Sequence, residues 1–147
     1  MSVDVRNKIG QLVCKRIYSQ ILFEADIVKR LSLGIFIVYS LFLLVMTHLP
    51  VEQLPPTQTS DKLLHFCAYA VQGLLVSFCL IAFRPMRWRN LIYCFLGLCL
   101  FAGIDELTQG LVGRFPEWLD WCADIAGISA GLAVAAVLQI VNKSWSI

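Results

Sequence analysis

Charged side chains are scarce in this chain, at 15% of 147 residues, and histidine occurs only twice. Cysteine is present at six positions, Cys14, Cys67, Cys79, Cys94, Cys99 and Cys122, but no two stand in Cys-x-x-Cys spacing. That excludes the common compact zinc and dithiol redox motifs. Cys67 and Cys122 lie at similar depth and have the reach to meet, but the sequence assigns no disulfide. Internal repeats, low-complexity tracts and a second domain are also missing. What is abundant is apolar character, at 59% of residues and a mean hydropathy of +0.74. A soluble domain of this size sits nearer half apolar.

The apolar residues gather in four stretches, at about 31–48, 63–83, 91–112 and 121–141. A helix needs about 20 apolar residues to cross the hydrocarbon core, with roughly 17–25 tolerated. In lipid only helices satisfy their own backbone without a partner strand, so the chain reads as all-α, with four transmembrane helices. Short loops make neighbouring helices antiparallel. The first stretch begins too far along, and without a small-residue cleavage site, to be a cleavable signal peptide. Ten of the twelve basic residues fall at 1–30, in Arg84, Arg87 and Arg89, and at Lys143. The positive-inside rule then puts both termini and the 84–89 loop in the cytoplasm, with segments 49–62 and 113–120 outside. The basic residues thus track a membrane face, which leaves no case for nucleic-acid binding.

Three segments follow: a cytoplasmic amphipathic arm over 1–30, the four-helix transmembrane domain over 31–141, and a cytoplasmic tail over 142–147. In the arm, Val5, Ile9, Leu12, Val13, Ile17 and Ile21 recur near helical spacing, with basic residues between them. Such a helix is drawn to anionic lipid at the membrane surface, although a solvated, frayed arm fits the pattern nearly as well. His48-Leu49-Pro50 ends the first helix, Pro55-Pro56 extends the outer loop, and Thr59-Ser60-Asp61 supplies N-cap chemistry. Arg84-Pro85 ends the second helix, Gly113 and Pro116 break the chain after the third, and Asp120 is placed to cap the fourth.

Strict alternation of direction carries ten polar residues to one side: Asp61, Lys62, His65, Tyr69, Asp105, Glu106, Gln109, Arg114, Asp120 and Asp124. An ionisable group inside a bilayer costs on the order of 3 kcal/mol, so it is a functional-site hypothesis by default. At about 100° per residue, Asp61, His65 and Gln72 share a stripe of the second helix, with Tyr69 at its edge. On the third, Asp105 and Glu106 share a face with Gln109. On the fourth, Asp120 and Asp124 align with Gly127 and Gly131, a small-xxx-small surface that permits close approach. That approach brings Asp124 against the helix carrying His65 or the one carrying Glu106.

Each residue also has a plainer role. Asp61 and Asp120 serve equally as helix caps. Tyr69, Trp118 and Trp121 fit an interfacial aromatic belt. Arg114 can neutralise Glu106 or Asp120, and His65 can pack while bonded to Asp61. A static polar network that knits the bundle competes evenly with a reactive site.

Asp61-Lys62-Leu63-Leu64-His65-Phe66 followed by Tyr69 resembles the D-K-x-x-H-F-x-x-Y signature of the VanZ-like family. Glu106-Leu107-Thr108-Gln109 is similar to its E-x-x-Q step, and Arg114, Asp120 and the Gly127/Gly131 pair to its final segment. The resemblance covers about residues 31–140. At Asp124 the chain departs from the pattern, where the family often has Asn; Asp124→Asn is therefore expected to be nearly silent. The family takes its name from a protein linked to teicoplanin resistance. The resemblance implies a multi-pass protein of the bacterial inner membrane that acts at the cell envelope. It implies motif positions at Asp61, Lys62, His65, Tyr69, Glu106, Gln109, Arg114, Asp120 and Asp124, and no settled reaction.

Two functional classes follow. In one, the chain is an enzyme on a lipid-linked envelope substrate: His65 is a general acid/base partnered by Glu106 or Asp124, and Lys62 and Arg114 hold an anionic headgroup. In the other, which the absence of a Ser or Cys beside His65 favours, the cluster binds without catalysis. Asp61, Lys62, Tyr69, Gln109, Arg114 and Asp120 then line a site for a glycopeptide, a peptidoglycan precursor, a lipid headgroup or an envelope-synthesis partner. No cofactor is expected. His65 with Glu106 and Asp124 has ligand chemistry, but no compact motif supports a metal.

Overall fold

A computed structural model describes residues 3–49, 60–83 and 87–144, with side chains described from Gln11 to Val141. Pro50, Pro55, Pro56, Thr59, Arg84 and Pro85 lie outside these residues, as do the side chains of Arg6, Lys8 and Lys143. All regular structure among the described residues is helical: α1 (Val3–Thr47), α2 (Asp61–Phe83), α3 (Trp88–Gln109) running into a 3-10 turn (Gly110–Val112), and α4 (Trp118–Ser144). Each of the four α-helices is long and apolar enough to cross a membrane.

Arm and first apolar stretch form one unbroken helix of 45 residues. The cause is local: no proline lies between Val3 and Leu49 to remove a backbone donor, so nothing stops propagation. At 1.5 Å per residue α1 is about 68 Å long, roughly twice the hydrocarbon thickness of a bilayer. Residues 11–28 lie entirely on its exposed part.

The closest packing joins α2 to α4. A Cβ built on Gly127 would overlap the Phe66 carbonyl oxygen, and one on Gly131 would overlap that of Ala70. Gly73 contributes from the α2 side, where a Cβ would stand 2.7 Å from the Ile128 carbonyl oxygen. Three glycines thus let two backbones touch, as small-residue seams in membranes do. Residue numbers rise together along this seam: Lys62 meets Asp120, His65 meets Asp124, Phe66 meets Gly127 and Ala70 meets Gly131.

The apolar core draws Leu43, Tyr69, Leu98, Ala102, Ile128 and Leu132 from all four helices. Tyr39 hydroxyl donates to the Ala68 carbonyl at 2.9 Å and ties α1 to α2. The Trp121 indole N–H donates to the Cys99 carbonyl at 3.1 Å, packed over Gly103. Trp121 is therefore partly inside the bundle, a correction to its reading as a belt residue; Trp118 is exposed. Gly113 has φ of 80°, a left-handed conformation that favours glycine, and the Arg114 N–H closes the turn onto the Gln109 carbonyl. All six cysteines are free thiols, Cys67 and Cys122 included.

Candidate functional site

Polar side chains converge where α1 ends, α3 ends and α2 and α4 begin. Helix ends fix this. Ser60 accepts the Leu63 and Leu64 N–H groups and starts α2, which sets Asp61, Lys62 and His65 in its first two turns. The Glu117 carbonyl accepts the Asp120 and Trp121 N–H groups and starts α4. Asp120 is thus the third residue of α4, not its cap, because Trp118 and Leu119 already have helical geometry. Its carboxylate faces Lys62 instead, at 3.2 Å.

Two buried networks form. In the first, His65 Nδ1 and Asp124 Oδ1 are 2.9 Å apart across the α2–α4 seam. Glu106 accepts twice, from the Gln109 amide at 3.1 Å and from the Glu117 backbone N–H at 2.5 Å. His65, Glu106, Gln109 and Asp124 are all buried, Asp124 completely. Lys62 crowns this network, bonding Glu117 at 2.9 Å as well as facing Asp120.

In the second network Asp105 is the hub. Its Oδ2 accepts the Tyr69 hydroxyl at 2.8 Å and its Oδ1 the Thr47 hydroxyl at 2.8 Å. His48 Nδ1 lies 3.5 Å from the same Oδ1, and its Nε2 shares a 3.0 Å bond with Thr108 Oγ1. Arg114 donates to the Thr47 carbonyl at 3.0 Å and stands 3.7 Å from Asp61. Asp61, exposed at the edge, therefore partners Arg114 and makes no direct bond to His65. Between the networks and α1 lies a cavity of about 240 Å³. Its polar wall is Thr47, Asp61, His65, Tyr69 and Arg114; its apolar wall includes Phe42, Leu43, Met46 and Leu64.

All nine sequence-derived site residues lie at this end. Lys62, His65, Glu106, Gln109, Asp120 and Asp124 gather around the first network, and Asp61, Tyr69 and Arg114 join the second. Sequence reasoning gave Asp105 no role, although it noted the face, and it missed Thr47, His48, Thr108 and Glu117. His48 and Glu117 sit at helix ends on the same side, and that sidedness was the available signal.

Chemically, His65 and Asp124 make a buried imidazole–carboxylate pair of the kind used in proton transfer. No serine or cysteine side chain bonds His65 among the described residues, so an activated nucleophile is missing there. Ligand atoms of His65, Glu106 and Asp124 lie within 4.8 Å of one another, and so do those of Asp61, His65 and Asp120. The first set comes from three helices, which explains why no short sequence motif announces it. No protein-family model, curated protein or solved structure matches the chain.

Proposed function

We propose that this is an inner-membrane protein of the VanZ-like kind, whose polar cluster binds an envelope ligand at the extracytoplasmic mouth of an antiparallel four-helix bundle. The family part of the reading rests on the residues of the Asp61–Tyr69, Glu106–Gln109 and Arg114–Gly131 motifs alone. The orientation rests on the basic residues, which concentrate at 1–30, 84–89 and Lys143. The bundle topology is supported by the co-directional α2–α4 seam, which alternating helices require. The exposed stretch of α1 before the core continues the membrane helix on the cytoplasmic side, with Lys15, Arg16, Lys29 and Arg30 on it.

The observation that carries the binding role is the cavity. It presents Asp61, His65, Tyr69 and Arg114 beside an apolar wall, the pairing that an amphiphilic headgroup or glycopeptide needs. Ligand classes that fit are a glycopeptide, a peptidoglycan precursor, a lipid headgroup or a partner envelope protein. An enzyme acting on a lipid-linked substrate is the second reading, favoured by the buried His65–Asp124 contact at 2.9 Å.

Two measurements test this. Reporter fusions after residue 147 and within 84–89 should report cytoplasm, and fusions within 51–60 the exterior; an external C-terminus overturns the orientation. Expression in a teicoplanin-susceptible bacterium should raise the inhibitory concentration, and His65→Ala should abolish the rise at equal membrane abundance. No rise with the parent chain overturns the glycopeptide reading. Turnover of a lipid-linked precursor by purified protein, lost in His65→Ala, would replace binding by the enzymatic reading.

A further inference from the structure

The two ligand sets that share His65 differ in charge balance. Asp120, in one of them, already has a cation, with Lys62 at 3.2 Å. Asp61 has Arg114 at 3.7 Å. Glu106 and Asp124, in the other set, have no lysine or arginine within ion-pair distance among the described residues. Both are buried, and His65 faces them, bonded to Asp124 at 2.9 Å and within 4.8 Å of Glu106. Two carboxylates out of water without a cation are costly. A second observation points the same way. Asp124 is fully buried, and its Oδ2 has no hydrogen-bond partner, although Oδ1 is engaged. Buried carboxylate oxygens are normally satisfied, so an orphan at this position is a vacant acceptor for a proton donor or a cation.

We propose that His65, Glu106 and Asp124 form a site for a divalent first-row transition ion of the Zn²⁺ or Mn²⁺ class. One imidazole and two carboxylates give the mixed nitrogen and oxygen donors these ions take. Ligands at about 2.0–2.2 Å from one ion stand roughly 3.3–4.4 Å apart, so atoms within 4.8 Å need only small side-chain adjustments, with the 2.9 Å His65–Asp124 contact opening to admit the ion. The surroundings suit the task. Gln109 and the Glu117 backbone N–H hold the Glu106 carboxylate in place, as outer partners of ligating carboxylates do. Three protein ligands leave coordination positions open, and His65 also lines the cavity, where an envelope ligand with an anionic oxygen can complete the shell. Asp124 stands where the VanZ-like pattern often has Asn, so the second carboxylate is this chain's own. The inference names an ion for the same site but needs neither the membrane orientation nor the glycopeptide reading.

The experiment uses the full chain purified in detergent, stripped with chelator and dialysed against Zn²⁺ or Mn²⁺ alone. The parent chain should retain about one equivalent. His65→Ala, Glu106→Gln and Asp124→Asn should each weaken retention by about tenfold or more, with helicity and elution unchanged. Asp61→Asn and Asp105→Asn should retain it. Loss in Asp61→Asn with retention in Asp124→Asn moves the ion to the other set and overturns the proposal, as does a parent chain that retains none. Should a ligand variant fail to fold, Co²⁺ loading of His48→Ala decides instead. That protein has a single histidine, and its ring protons should show paramagnetic shifts; an unshifted His65 ring overturns the site. Metal retention and teicoplanin susceptibility are separate readouts, so either reading can fail alone.

Discussion

The two buried networks sit side by side at one end of the bundle, yet they close differently. Around Asp105 both carboxylate oxygens accept a hydroxyl, from Tyr69 and Thr47, and nothing is left over. Around Asp124 one oxygen is bonded and the other is orphaned. A closed network is what a structural staple requires, since each buried polar group then recovers the hydrogen bonds it lost from water. An open one is poorly explained as a staple, because it keeps the desolvation cost without full return. The contrast is what separates a cohesive role for Asp105 from the ligand role proposed for Asp124, two acids that composition alone cannot tell apart.

The comparison breaks most violently at the seam. Gly127→Leu forces α2 from α4 and pulls His65 off Asp124, while the α1–α3 contact of Thr47 with Asp105 is kept. Such overpacking should cost on the order of 3 kcal/mol, read by thermal unfolding in detergent. Next comes Asp105→Ala, which strands the Tyr69 and Thr47 hydroxyls in the interior. The expected loss is about 2 kcal/mol, with metal retention unchanged. Tyr69→Phe strands only one carboxylate oxygen and should cost about 1 kcal/mol by the same measurement. Asp124→Asn in metal-free protein keeps an acceptor for His65 and exchanges the unpartnered carboxylate oxygen for a neutral NH2 group, one unmet polar group for another without the buried charge, so stability should move by less than about 0.5 kcal/mol. A loss as large as that of Asp105→Ala would erase the distinction. Glu117→Gln removes only the exposed charge facing Lys62 and should leave unfolding unchanged, because solvent screens such contacts.

Much of the fold was legible because hydropathy runs at membrane length have few competing explanations. The four apolar stretches correspond to four helices, and Gly127 and Gly131 pointed to the close approach that holds Asp124. Other features depended on helix rotation and ends, which periodicity leaves loose. Asp105 and Glu106 are adjacent in sequence but serve different networks, because 100° of rotation turns them to different neighbours. Asp120 read as a cap because Asp before an apolar run is cap chemistry, yet α4 starts at Trp118. The extension of α1 through residue 30 was hidden because charge, not a helix breaker, marks that point. If the proposed ion site is right, Asp124→Asn is expected to stay nearly silent for stability and to weaken ion retention.

The seam between α2 and α4 has a consequence for biogenesis. His65 and Asp124 are 59 residues apart, and the whole of α3 lies between their helices. Because chains emerge from the ribosome N-terminus first, α2 enters the membrane with its histidine and glycine face unmatched. Then α3 follows, bearing two acids. Neither the histidine nor Glu106 meets Asp124 until the last helix is inserted. The cluster therefore cannot close until α2, α3 and α4 are all present: a chain stopped before α4 leaves His65 and Glu106 without the carboxylate that faces them.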